Sequence, residues 1–379
     1  MNFQFATANR IIFGVDSIQQ LRERVAGRDV LLVSGSNPQR HQTVLGQLAD
    51  AVYHTYSVSQ EPTVEIINRG VEQARQHECN LVIAVGGGSV IDAGKAIAAI
   101  ATNTGALLDY LEVVGAGNPL TNDPLPMIAI PTTSGTGAEV TKNAVIAVEA
   151  KNVKVSLRDN RMLPTVALLD PRLTLSVPPS VTATTGLDAL TQVIEPYVSR
   201  FANPLTDALC SDGIKRGATA LHTAFNEPDN LTARTEMMYV SLLGGLGLAN
   251  AKLGAVHGFA GTLGGVTGAA HGAICGCLLP HVTKANIHAL RAADDATTLA
   301  KYQMIARWLM GKTDATLDEL VEWLFALTAT LNTPTLGQMG LHAESISAVV
   351  TQSQRSSSMK GNPVTLSPDV LAAILQAAL

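Results

Sequence analysis

The stretch from 81 to 101 confines the fold more than any other. Leu81-Val-Ile-Ala-Val85 is an unbroken apolar run of strand length, stopped by Gly86-Gly-Gly-Ser89 and followed directly by an alanine-rich helical pattern over 90–101. A strand without polar alternation is buried on both faces, as in a parallel sheet covered by helices. Strand, glycine turn and helix in succession turn backbone N–H groups and a helix N-terminus toward phosphate. A tight structural turn would explain the glycine triplet alone about as well.

The same grammar recurs around it. Arg10–Phe13 reads as a short strand, and Asp29-Val-Leu-Leu-Val-Ser34 as a buried one ending at Gly35. Over 62–77, Val64, Ile67, Val71 and Ala74 share one helical face. Met127-Ile-Ala-Ile130 leads into the hydroxyl-rich loop Pro131-Thr-Thr-Ser-Gly-Thr-Gly-Ala-Glu139. The runs 143–149 and 153–157 suit a hairpin, and Thr165–Asp170 a last buried strand. Strands alternating with helices predict an α/β nucleotide-binding domain with a mostly parallel sheet. Two phosphate motifs are absent. No G-x-G-x-x-G follows the first strand, and around Gly94-Lys95 a P-loop would need glycine at Ser89 and a hydroxyl at Ala96.

Pro178-Pro179 punctuates the chain, which sets the expected domains at 1–179 and 180–379. Beyond it no strand pattern persists. Helical periodicity runs over 180–198, 204–225, 233–251, 296–310, 317–331 and 367–378, so the second domain is expected to be all-α. A length of 379 residues suits two domains. A formal charge of −5 argues against nucleic-acid or anionic-membrane partners. No 20-residue apolar stretch runs without breakers and the first residues lack a signal peptide's charged start, so a cytoplasmic location is expected. Cys79, Cys210, Cys275 and Cys277 form no zinc-ribbon or disulfide spacing. Cys275 and Cys277, in an apolar run, read as small buried side chains.

Chemistry concentrates in two places of the second half. His257 and His271 frame a glycine-rich segment without a charged residue. Upstream, Asp188 and Gln192 are i and i+4, so they project from one helix face. Imidazole and carboxylate are ordinary ligands of a divalent cation. Each histidine alone reads equally as a hydrogen-bonded core residue. His271 is expected near a helix start, and His281, in an apolar run, as structural.

These blocks together resemble the iron-dependent (group III) alcohol dehydrogenases. The resemblance rests on Arg10-Ile-Ile-Phe-Gly14, Gly86-Gly-Gly-Ser-Val-Ile-Asp92-Ala-Gly-Lys95, Pro131-Thr-Thr-Ser-Gly-Thr-Gly-Ala-Glu-Val-Thr141 and Thr185-Gly-Leu-Asp188-Ala-Leu-Thr. It extends through His257-Gly-x12-His271-Gly, Leu278-Leu-Pro-His281 and Met359-Lys-Gly-Asn-Pro, in order along nearly the whole chain. It implies a dehydroquinate-synthase-like architecture: a nicotinamide-binding α/β domain, then a helical domain for metal and substrate. It also implies ligands at Asp188, His257 and His271, acting in catalysis through the metal, Fe2+ or Zn2+. The family's fourth ligand, a histidine four residues after the aspartate, is Gln192 here, whose amide oxygen is a weaker donor. Another family histidine is replaced by Gly261.

For the cofactor, the resemblance implies Gly87, Gly88 and Ser89 at the pyrophosphate and Asp92 toward the nicotinamide. Thr132, Thr133 and Thr136 would lie along the dinucleotide, Asn143 and Lys154 at ribose or phosphate, and Val181 by the adenine. Where NAD-preferring relatives carry an aspartate, this chain has Gly35, then Ser36, Asn37 and Arg40. Without that carboxylate a 2′-phosphate is not excluded, so NADP(H) is expected over NAD(H). The expected reaction is hydride transfer between NAD(P)H and a small aldehyde or ketone, the carbonyl polarised by the metal. A homodimer paired through Phe3-Gln-Phe5 is expected from the resemblance. The alternatives are a metal-independent reductase of the same superfamily, a dehydroquinate-synthase-type lyase, and a nucleotide sensor without turnover.

Overall fold

Leu81–Gly86 (β4) is buried at every residue, because its side chains are apolar on both faces and each face meets its own layer. Leu31, Val33, Val82 and Ala84 pack with Ile67, Val71, Ile91 and Ile97, while Val30, Leu32, Leu81, Ile83 and Val85 pack with Ile18, Leu21, Val44 and Leu48. The structure, a computed structural model, describes residues 2–37, 41–151 and 153–379. Arg40 lies outside the described residues.

Two compact units form, one of residues 6–133 with 137–176, the other of 177–379 with 2–5 and Ser134–Thr136. In the first, strands Arg10–Phe13 (β1), Asp29–Ser34 (β2), Val52–Ser57 (β3), β4, Met127–Pro131 (β5) and Val166–Leu169 (β8) form a parallel sheet ordered β1-β8-β5-β4-β2-β3. Asn143–Val148 (β6) and Val153–Arg158 (β7) form a separate antiparallel hairpin. The unit's helices are Arg22–Val25 (α1), Gln42–Leu45 (α2), Val64–Gln76 (α3), Gly88–Ala101 (α4) and Leu107–Tyr110 (α5). Strand β3 has no counterpart in the apolar pattern of the sequence. It is an edge strand paired, among the described residues, only with β2, so its Val-Tyr-His-Thr-Tyr-Ser side chains stay largely outside the core and give no apolar run. The chain reaches β3 at the edge and returns to β4 on the other side of β2, which puts a topological switch point at the carboxyl ends of β2 and β4.

The second unit is helical: Pro179–Val198 (α6), Pro204–Asn226 (α7), Leu231–Ala251 (α8), Ala255–Thr267 (α9), His271–Ala292 (α10), Ala296–Met310 (α11), Leu317–Thr330 (α12), Ile346–Ser353 (α13) and Pro368–Ala377 (α14). Side-chain caps start many of them: Asn203, Asn230, Asp295, Thr316 and Ser367 each accept a backbone N–H of the first turn. Helix α9 ends on Gly268 in the left-handed conformation, φ 70°, and α10 begins three residues later. No single helix among the described residues is long and apolar enough to cross a membrane.

Candidate active site

Three helices of the second unit deliver the polar groups. Asp188 and Gln192 lie on α6, His257 in the first turn of α9, and His271 at the first residue of α10. Close packing of α10 on α6 makes the convergence possible. A Cβ at Gly272 would run into the carbonyl oxygen of Thr184, and one at Gly276 would come within 2.6 Å of a Leu187 methyl. Only bare backbone fits there, so His271 is carried up to Asp188.

The resulting geometry is tight. His257 Nε2 lies 3.0 Å from Asp188 Oδ1, and His271 Nε2 lies 4.0 Å from the same oxygen. The Cys275 sulfur, one turn beyond His271, is 3.7 Å from His257 Nε2. One donor atom from each of Asp188, His257, His271 and Cys275 falls within 4.8 Å of the others. Asp188, His257 and Cys275 are buried, whereas the His271 side chain is 38% exposed, so the cluster opens on its side.

Glu195 completes the arrangement. Its Oε2 lies 2.7 Å from His257 Nδ1, and its Oε1 accepts the Val256 N–H at 2.7 Å. A proton kept on Nδ1 by this carboxylate would leave Nε2 as the nitrogen that binds a cation, the usual second-sphere support of a metal-bound histidine. Sequence reasoning missed Glu195 and gave Cys275 only a packing role. Glu195 carries a signal in its spacing, since residues seven apart (188 and 195) return to one helix face after two turns.

Charge in this pocket is asymmetric. Burial disfavours the imidazolium of His257, but Cys275, Asp188 and Glu195 outweigh it and hold its pKa well above the ordinary value. His271, similarly opposed by burial and favoured by Cys275 and Asp188, is raised to about 9. Burial also penalises the Asp188 carboxylate, yet the two histidines leave its pKa lowered. The pocket therefore attracts positive charge, and its oxygen, nitrogen and sulfur donors fit a divalent transition cation. Gln192 behaves differently. Its amide nitrogen donates to the Gly135 carbonyl at 2.8 Å, within the same unit.

In the α/β unit, the residues expected at the dinucleotide sit along three neighbouring strand ends. Gly35–Asn37 follow β2, Gly87–Ser89 follow β4, and Thr132–Thr133 follow β5. The Thr132 N–H donates to the Gly86 carbonyl at 3.0 Å, which joins two of these turns. Gly87 is the N-cap of α4 and offers no side-chain cap, so the helix end stays available to an anion. A Cβ at Gly87 would lie 3.4 Å from the Thr133 hydroxyl, filling the cradle. These features fit a pyrophosphate.

Others are engaged within the fold. Asp92 pairs with Lys95 at 3.0 Å and accepts the Val145 N–H at 2.9 Å, tying α4 to the hairpin. Burial still raises the Asp92 pKa. The Asn143 carbonyl accepts from Lys95, and Lys154 lies 3.4 Å from Glu61. Thr136 and Val181 belong to the helical unit, Val181 exposed on the first turn of α6. His281 packs edge-on against Phe325, with ring centroids 4.9 Å apart. A Cβ at Gly261, one turn after His257, would meet nothing within 4 Å.

A parallel sheet with a glycine-lined switch point, together with a helical unit bearing an Asp–His–His cluster, has the form of a nucleotide-binding enzyme with a candidate metal site. The family model for iron-containing alcohol dehydrogenases matches residues 8–171, and that for the C-terminal part of the Fe-containing alcohol dehydrogenase family matches 182–379. The chain belongs to the iron-containing alcohol dehydrogenase family. Alcohol dehydrogenase 4 of Saccharomyces cerevisiae is 35% identical over 318 residues, 84% of this chain and 80% of the yeast protein. The crystal structure of a 1,3-propanediol oxidoreductase superposes with a TM-score of 0.92 at 31% identity, covering 100% of both chains. That of sulfoacetaldehyde reductase from Bifidobacterium kashiwanohense, in complex with NAD+, gives 0.88 at 28% identity over 100% of this chain and 99% of the other. Family membership makes this chain an oxidoreductase acting on alcohols and aldehydes, with a nicotinamide dinucleotide and a divalent metal as the family's cofactors.

Proposed function

We propose that the chain catalyses reversible hydride transfer between NADP(H) and a small aldehyde or ketone, with a divalent metal, Fe2+ or Zn2+, held by Asp188, His257 and His271. The observation that carries the reading is the approach of these three side chains' donor atoms to within 4.8 Å in a pocket that attracts positive charge. A bound cation there supplies Lewis acidity toward a carbonyl oxygen. Asp188 balances part of its charge, Glu195 keeps the His257 proton on Nδ1, and the half-exposed His271 lines the side that substrate approaches. Gly261 leaves that approach free of side-chain bulk.

In the same proposal the α/β unit binds the dinucleotide, with Gly87, Gly88 and Ser89 at the pyrophosphate and Thr132 and Thr133 beside it. Asp92, Thr136, Asn143, Lys154 and Val181 are assigned supporting roles along the cofactor. The preference for NADP(H) is supported by Gly35, Ser36 and Asn37, none of which carries a carboxylate to repel a 2′-phosphate. A homodimer fits the exposure of Phe3 and Phe5. A cytoplasmic location belongs to the proposal as well.

The test combines metal content of the purified full chain with NADPH oxidation on short aldehydes, before and after chelation. The expected result is about one metal per chain, in line with one donor cluster among the described residues, and turnover that chelation abolishes and one added ion restores. Full NADPH-dependent turnover in metal-free protein would overturn the metal's role, and absence of turnover with any carbonyl would overturn the reaction.

A further inference from the structure

We propose that Cys275 is a metal ligand in this chain: its thiolate supplies the fourth strong donor where the family's histidine is Gln192 and biases the site toward zinc over iron. The inference rests on the metal reading above and extends it to a residue of different chemistry.

Three observations carry it. First, Cys275 stands one helical turn after His271, so α10 presents imidazole and sulfur on one face. The glycines at 272 and 276, each next to one of them, hold that face against α6. Second, the spacings suit one ion. A tetrahedral shell with metal–nitrogen bonds of about 2.0–2.1 Å and a metal–sulfur bond of about 2.3 Å separates its ligand atoms by roughly 3.3–3.6 Å. The distances here are 3.0 Å from His257 to Asp188, 3.7 Å from His257 to Cys275 and 4.0 Å from His271 to Asp188. Third, Gln192 stands at the position of the family's fourth ligand with its amide nitrogen held by the Gly135 carbonyl, so that its metal donor is the neutral amide oxygen, a weaker ligand than thiolate.

Cys275 is fully buried, as a small packing residue would be. Packing alone does not explain a sulfur set among a carboxylate and two imidazoles. At the metal itself the charges agree with ligation: the Asp188 carboxylate and one thiolate offset the charge of a divalent ion. Thiolate is also a soft ligand, favouring zinc where an oxygen- and nitrogen-only site would not. With four protein ligands in place, a substrate oxygen would enter as a fifth, an expansion that catalytic zinc sites allow. The other cysteines give a quiet background. Burial pushes the Cys277 thiol up to about 11 and raises the pKa of Cys79 and Cys210.

The test uses the full chain, stripped of metal and reloaded with Co2+, as wild type, Cys275→Ser and Cys277→Ser. Wild type is expected to bind one cobalt with a near-ultraviolet thiolate-to-cobalt charge-transfer band. Cys277→Ser should keep the band; Cys275→Ser should lose it and lose zinc-over-iron preference in competition. Wild-type protein with one bound cobalt and no band, or a band that survives in Cys275→Ser, overturns the proposal and leaves the metal reading standing. A wild-type chain that takes up no cobalt and no zinc overturns both. X-ray absorption of the zinc-loaded wild type decides the matter without any variant: a sulfur scatterer at about 2.3 Å is expected, and a shell of nitrogen and oxygen alone refutes it.

Discussion

The Glu195 carboxylate lies 2.7 Å from Nδ1 of His257 while holding the Val256 N–H that opens helix α9. One carboxylate thus fixes both the imidazole's orientation and the helix end that carries it. Glu195→Gln keeps the shape and removes the charge. We expect metal affinity to fall by roughly 10–100-fold, the range for second-sphere carboxylates, with the circular dichroism spectrum unchanged. Chelator competition reads the affinity; an unaltered value would mean that Glu195 serves only the helix.

Gly272 is the close-contact point between α10 and α6, where a methyl group would meet the Thr184 carbonyl. Gly272→Ala should lower stability by roughly 1–3 kcal/mol, as overpacking does, and reduce metal retention, because the shift moves His271 away from Asp188. Thermal melts and metal analysis on the same preparation check both. A variant with wild-type melting and full metal content would show that the helices slide freely.

Glu139 is buried in the α/β unit, and its Oε1 has no hydrogen-bond partner among the described residues. Burial raises its pKa to about 7 from 4.5 in the unfolded chain. The folded state therefore binds the proton more tightly, so this contribution to stability is complete below pH 4.5 and is lost as pH rises through about 7. Glu139→Gln should relieve a penalty of roughly 3 kcal/mol above neutral pH and bring little change near pH 5. Denaturant unfolding at the two pH values measures it, and an equal effect at both would contradict the assignment.

Lys95 is buried with its ammonium shared among Asp92, Thr141 and the carbonyls of Ala138 and Asn143. Lys95→Met leaves Asp92 charged without its partner, which should cost roughly 3–5 kcal/mol. Adding Asp92→Asn should recover part of that loss. Denaturant titrations of the single and double variants give the coupling, and additive losses would show that the pair acts separately.

Gly35 has open space at its Cβ and no left-handed backbone, so a side chain fits there. Gly35→Asp should shift the ratio of kcat/KM for NADPH over NADH toward NADH by roughly tenfold, or about 1.4 kcal/mol. An unchanged ratio would move cofactor choice away from the end of β2.

Much of the fold is legible in local periodicity alone. The buried strands at 29–34, 81–86, 127–131 and 166–169, the glycine turn into α4 and helices α6, α7, α8, α11, α12 and α14 follow from apolar patterning and chain punctuation, which nearest neighbours dictate. Helices α9 and α13 are not among the expected ones, and α10 is expected only at its start, near His271. The candidate cluster is legible in part. Asp188, His257 and His271 stand out because ligand-type side chains there are framed by glycine or share a helix face, and because the motifs resemble a family.

Tertiary structure decided the rest. Cys275 looks like any small residue in an apolar run until α10 packs on α6, because its sulfur meets a nitrogen that lies 18 residues away. Glu195 reaches its histidine across 62 residues, and Gln192 meets Gly135 across 57. Strand β3 leaves no apolar run for a related reason: an edge strand is made by its one neighbour, not by its own hydrophobicity. Sequence sets which segments are helices and strands through local periodicity. Which distant side chains share a pocket depends on helix–helix contacts such as that at Gly272, where the absence of a single Cβ lets two backbones touch.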